Sequence, residues 1–187
     1  MAIRKKLDFP VDKVRRFLEP GPIVLVSSAH KGETNIMTMG WHMMDAYDAI
    51  ACHIWDQNHS RALIRGSREC VFNIPEVSMA ETAVRIGNCS GRDVDKFAKF
   101  GLTKLEATEV DAPLIGECFA SFECRLIETS LARRYSLHIF QVVKAHVAPS
   151  PKLPKTIHYR GDGRFMISGE ETTRWRKLFT PAMLADP

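Results

Sequence analysis

Short β-rich runs, separated by turn residues and only irregularly by helical patterns, constrain this chain more than any other feature. Ile23-Val24-Leu25-Val26-Ser27-Ser28 is a continuous apolar run, and His30-Lys31-Gly32-Glu33 turns it into Thr34-Asn35-Ile36-Met37-Thr38-Met39, which predicts a hairpin. Further strands are predicted over 49–54 and over 69–74, the second closed by Pro75. Cys118 to Val147 reads as a long hairpin broken at Thr129-Ser130, and a Pro-rich connector (Pro149 to Pro154) leads to another, around Gly161-Asp162-Gly163. Helical signals are brief. Val11, Val14 and Leu18 follow Pro10 at helical spacing, and Asn58-His59-Ser60 opens a capped helix. Ser78 with Glu81 makes a capping box for Met79–Ile86, and Asp93 is placed to cap a helix through Phe97 and Phe100 that Gly101 ends. A polar helix is expected over Glu170 to Leu178. Since strand and helix do not alternate regularly, the prediction is a mainly β barrel or sandwich with short helical insertions.

The length, 187 residues, suits a single domain, and 45% hydrophobic with 26% charged residues supplies an ordinary core. A net charge of +4 is spread along the chain, which argues against a nucleic-acid-binding arm. The opening Met1 to Lys6 leads into Asp8-Phe9-Pro10 without an apolar run, and no segment is long and apolar enough for a bilayer span. A soluble, cytoplasmic protein is expected. Five cysteines without a CxxC pair argue against a disulfide framework or zinc knuckle. Cys118 and Cys124, an even number apart, are expected on one strand face, too distant to share a metal.

Dinucleotide-fold, P-loop, zincin and serine-hydrolase motifs are all absent. Three polar clusters remain. Asn35-Ile36-Met37-Thr38 offers an amide, a hydroxyl and backbone donors to the edge of a heterocycle. Asn58-His59-Ser60 stands at a helix start, where free N–H groups and the helix dipole favour phosphate. Cys89-Ser90-Gly91-Arg92, with Lys96 beyond it, carries two cations able to balance a ligand's negative charge. Each cluster by itself is also ordinary: a strand, an N-cap, a solvated face. His42, His53 and His138 share no ligand spacing, so no metal site is expected.

The order of these segments resembles the flavin reductase-like family, in particular its flavoredoxin-like branch. The likeness is carried by Pro20-Gly21-Pro22 through Ser28, Gly32, Asn35 to Trp41, Asn58-His59-Ser60 with Leu63-Ile64, Glu69 to Pro75, Ser90 to Phe97, and Ala112 to Cys118 with Glu123-Cys124. It covers a core of about 18–147, leaving an extension over about 149–187 within one domain, 1–187. The resemblance implies an FMN-binding split β-barrel, six-stranded and Greek-key, forming a homodimer. It implies FMN contacts from Asn35, Ile36, Met37, Thr38, His53, Asn58, His59, Ser60, Cys89, Ser90, Gly91, Arg92 and Lys96. It also implies that hydride arrives from NADH or NADPH and that electrons leave to free flavin, a metal complex or a protein acceptor. No catalytic side chain is then required, because the flavin carries the redox chemistry. The alternatives are a flavoredoxin-like FMN carrier with little nicotinamide activity and, more remotely, a cofactor-free barrel that binds a ligand or partner.

Overall fold

The computed structural model of the chain describes residues 3–14 and 21–184. Its elements are β1 (Leu7–Phe9), β2 (Val24–His30), β3 (Glu33–Met39), β4 (His42–Ala46), β5 (Ala49–His53), α1 (His59–Ser67), β6 (Glu69–Ile74), α2 (Ala80–Gly87), α3 (Lys96–Phe100), β7 (Lys104–Leu105), β8 (Leu114–Ile115), β9 (Ala120–Glu128), α4 (Ala132–Tyr135), β10 (Leu137–Val147), β11 (Ile157–Tyr159), β12 (Phe165–Ile167) and α5 (Pro181–Leu184). The fold is mainly β. An eight-stranded antiparallel sheet runs β3-β2-β6-β9-β10-β5-β4, with β1 added on β10.

The β2–β3 hairpin forms as expected. Lys31 and Gly32 both take positive φ, 51° and 82°, the two-residue turn whose twist matches paired strands. β3 and β4 lie at opposite ends of the sheet order, yet only Gly40 and Trp41 join them. Three Cα steps reach about 11 Å at most, so the sheet curls until its ends meet. They meet without pairing, and the barrel is split there. Its interior holds one apolar cluster fed by every long strand, including Val26, Met39, Ile50, Phe72, Phe122 and Phe140. Phe72 and Phe140 meet edge to face at 5.8 Å.

A second apolar layer forms on the outer face of β2 and β3, where Leu25 and Ile36 pack against Met79, Ala83 and Ile86 at α2 and Phe97 of α3. Alternation explains the division, since Val24 and Val26 face the barrel while Leu25 faces the helices.

Several expectations are corrected. Ser78 and Glu81 form no capping box: Val77–Met79 is a 3-10 turn, the helix begins at Ala80, and Glu81 pairs with Arg85. Asp95, not Asp93, caps α3, accepting from the Phe97 and Ala98 amides; Gly101 ends it at φ +61°. The segment from Glu170 has no regular structure up to a turn at 174–175 and a 3-10 turn at Arg176–Leu178, with α5 beyond it, so the polar helix does not form. Trp175 is exposed beneath the Arg174 guanidinium. Cys118 precedes β9 and packs under α2, whereas Cys124 faces the barrel. All five cysteines are free, and burial pushes the Cys52 and Cys118 thiols well up. Of the helix expected from Val11 to Leu18, Val11–Lys13 is a 3-10 turn and 15–20 lies outside the described residues. Among the described residues, no helix is long and apolar enough to cross a membrane.

Candidate functional site

At the split, where the sheet ends meet, a cavity of about 640 Å³ opens. One wall is the end of β3 and the link to β4 (Met37 to Trp41). A second carries His53 at the end of β5 with Trp55 and Asn58 beyond it, a third is α2 from Ala83 to its C-cap Asn88, and the β11–β12 hairpin supplies Ile157, Tyr159, Gly163 and Phe165.

β3 is the terminal strand on this side, and its register on β2 determines which groups face outward. His30 and Glu33 flank the tight turn as a hydrogen-bonded pair, so alternate residues, Thr34, Ile36 and Thr38, direct their N–H and C=O away from β2. Ile36 and Thr38 therefore present donors and acceptors along the free edge beside the cavity. The Thr38 hydroxyl donates to the Ala83 carbonyl at 2.6 Å and fixes α2 alongside.

At the other end stands the N-terminus of α1. Asn58 occupies the N-cap, but its side chain accepts from the Trp55 amide at 2.9 Å and caps nothing. Among the described residues the first-turn amides have no side-chain partner, and no acidic residue stands in that turn. Arg92 reaches the same entry, donating to the Gln57 carbonyl at 3.1 Å.

Between these ends the three sequence clusters converge. Asn35 is buried and donates to the fully buried Ser60 hydroxyl at 2.8 Å. Its carbonyl Oδ1 is buried and meets no donor among the described residues. Gly91 presses on it so closely that an added Cβ would stand 2.2 Å from Oδ1. An open strand edge and an uncapped helix N-terminus bordering one cavity, with an orphaned acceptor just behind it, are what a planar, hydrogen-bonding ring with a phosphate tail requires.

Among the thirteen sequence candidates, Met37, Thr38, His53 and Asn58 line the cavity. Asn35, Ser60 and Gly91 meet just behind it, with Ser90 accepting from the Arg92 amide. Ile36 turns its side chain into the helical layer and only its backbone to the edge. His59 is held by Glu33 at 2.5 Å across the β2–β3 turn. The Cys89 thiol donates to the Arg85 and Ile86 carbonyls. Lys96 is buried, its Nζ donating to the Ile86 carbonyl at 2.9 Å; burial lowers its pKa, with nearby Cys89 opposing. Neither Lys96 nor Arg92 lines the cavity.

Sequence reading passed over Trp41, Trp55, Tyr159 and Phe165. Lone aromatics beside turns are common, and only the closed topology brings residues 41, 55 and 159 together.

Comparison with known proteins agrees with this architecture. Residues 15–165 match the flavin reductase like domain family. An uncharacterized protein of Escherichia coli K12, YddH, is 30% identical over 175 residues, covering 84% of this chain and 92% of that protein. Among solved structures, an FMN-binding domain of flavin reductases-like enzyme from Shewanella baltica OS155 is 25% identical with a TM-score of 0.83, covering 92% of this chain and 98% of the other. Flavoredoxin of Desulfovibrio vulgaris (Miyazaki F) shares the fold at a TM-score of 0.74 and 24% identity, covering 81% of this chain and 88% of the other. With its family match, its split at the β3–β4 junction and its cavity there, the chain belongs to the flavin reductase-like family and has the split-barrel fold of that family's FMN-binding members.

Proposed function

We propose that this chain binds FMN in the cavity at the barrel split and works as an oxidoreductase. The observation that carries this reading is that one cavity joins the open edge of β3 to the uncapped N-terminus of α1. The isoalloxazine ring would take hydrogen bonds from the outward backbone groups of Ile36 and Thr38, supported by Asn35. The phosphate would sit at the amides of α1, near Asn58, His59 and Ser60, with Arg92 of the Cys89–Arg92 loop as the nearby cation. Lys96 acts behind this loop, bonding the end of α2 and thereby positioning it. Bound flavin supplies reversible hydride and electron transfer, which no side chain here provides. The protein binds and orients the ring and keeps water from its covered face. NADH or NADPH is the proposed donor, and free flavin, a metal complex or a protein the acceptor, with the chain acting as a cytoplasmic homodimer.

The test is a visible-absorption titration of purified protein with FMN. A saturable spectrum with shifted bands, weakened about tenfold or more by Arg92→Ala, is the expected result; an FMN spectrum unchanged by protein would remove the reading. A second reading, an FMN carrier with little nicotinamide activity, is favoured by the β11–β12 hairpin that forms one wall of the cavity. Anaerobic NADH and NADPH separate the two, since flavin bleaching by either supports the reductase and its absence the carrier.

A further inference from the structure

Three stretches of the cavity wall are tied together from behind. Gly21 with Ile23, Gly40 with Trp41, and Ile157 with Tyr159 all face the cavity, whereas the residues between or beside them, Pro22, His42 and His158, do not. The Ile23 amide donates to the Ile157 carbonyl at 2.7 Å, and His42 Nε2 donates to the Pro22 carbonyl, also at 2.7 Å. His158 is buried, with its Nε2 3.0 Å from the Thr156 hydroxyl. β11 and β12 form a two-stranded sheet of their own, so among the described residues no ladder joins their hairpin to the barrel. Its attachment rests on isolated bonds such as these.

With the Nε2 proton given to Pro22, His42 Nδ1 is the bare acceptor of a neutral ring, and it is buried with no partner among the described residues. A proton added there would create a buried donor without an acceptor and a buried charge. From β11, His158 would oppose that charge with its own. From β5, Cys52 stands directly across in register and stays neutral, since burial pushes its thiol well up. Burial, with His158 adding to it, outweighs the Pro22 carbonyl and holds the His42 pKa below its ordinary 6.5. Opposite His158 itself, β12 places the uncharged Met166.

We infer that His42 is a positioning residue whose neutral ring ties the β11–β12 hairpin into the cavity wall, and whose protonation, opposed by His158, releases it. The inference gives the proposed function a regulation by acid and rests on that reading only for what the wall encloses. A histidine whose pKa is lowered in the attached state takes up its proton on release. Attachment is therefore full above the ordinary value of 6.5 and weakens as pH falls below it.

Hydrogen exchange read by mass spectrometry follows the hairpin with or without flavin, as protection factors corrected for the intrinsic effect of pH. Protection over 157–167 should fall at least tenfold between about pH 7.5 and about pH 5.5, while β9 and β10 stay within twofold. His42→Gln keeps a donor for Pro22 but cannot titrate, and should hold the hairpin with less than a threefold response. His158→Gln removes the like charge and should move the midpoint of release to lower pH. Over the same range, FMN affinity of the parent should fall at least fivefold more than that of His42→Gln, a comparison that cancels ionisation of the FMN phosphate near about pH 6. Constant protection in the parent, an equal response in parent and His42→Gln, an unshifted midpoint in His158→Gln, or FMN affinity indifferent to release would each overturn the inference. Acid release of the hairpin in a protein that binds no FMN at any pH would remove the proposed function and leave the histidine tie standing.

Discussion

Gly91 shows how one missing side chain can organise a site. Its position is required by proximity rather than backbone strain, since an added Cβ would fall 2.2 Å from Asn35 Oδ1 and 2.5 Å from Cγ. Asn35 cannot swing away without breaking its bond to Ser60. Gly91→Ala is therefore expected to displace the Ser90–Arg92 loop and weaken FMN at least tenfold, about 1.4 kcal/mol, with the dichroism spectrum retained. Fluorescence titration of FMN checks it. The sequence showed Asn35, Ser60 and Gly91 as polar clusters but not their mutual contact, because residues 35, 60 and 91 meet only through the packing of α1 and the loop after α2 against β3. Lys96 and Arg92 looked alike as cations on a turn. The structure separates them: Lys96 is buried against the end of α2, while Arg92 remains at the entry to α1. The decisive quantity, burial, depends on where Asp95 rather than Asp93 starts the helix, and that choice seats Phe97 in the core.

Among the elements, the loop around β7 and β8 hangs on one carboxylate. Glu123 on β9 is fully buried and accepts from the Thr108, Glu109 and Val110 amides at 2.9, 2.5 and 3.1 Å, while His146 of β10 meets it at 2.6 Å. Burial alone would raise its pKa, but the amides of Thr108 and Glu109 together with His146 lower it below the ordinary 4.5. A carboxyl depressed in the folded state adds stability above its unfolded pKa and loses it as pH falls through the folded value. Glu123→Gln turns an amide donor toward buried N–H groups, a loss of about 3 kcal/mol at neutral pH, or roughly 6–12 °C in Tm. The gap from the parent should shrink as pH drops below about 4, which thermal melts across pH would show. Strong local patterns made β2, β3, β5, β6, β9 and β10 legible from sequence. The short β1 and the rim strand β4 were not, because β1 owes its form to pairing with β10, and β4 pairs on one side only, with β5. The helix expected from Glu170 failed because this segment, exposed throughout 169–184, buries no face, and without burial a short helix is marginal.

At the scale of the whole molecule, the barrel and its helical layer carry the fold, and the chain after Ser168 adds little to it. Residues 169 to 184 are exposed throughout. Truncation after Ser168 is expected to leave Tm within about 2 °C, since exposed segments without buried contacts contribute little to global stability. It should also leave the FMN titration unchanged, because the cavity's C-terminal wall ends at Phe165. A melting curve and one titration decide both points. The split itself has a further consequence. A β-strand with open hydrogen bonds is a template for any other strand, and natural proteins cover, charge or bend such borders. At Ile36 and Thr38 of β3, a bound planar ring would do the covering. Stripped protein should then self-associate edge to edge, seen as light scattering that rises with concentration and disappears on adding FMN, so that occupancy of the site guards solubility as well as chemistry.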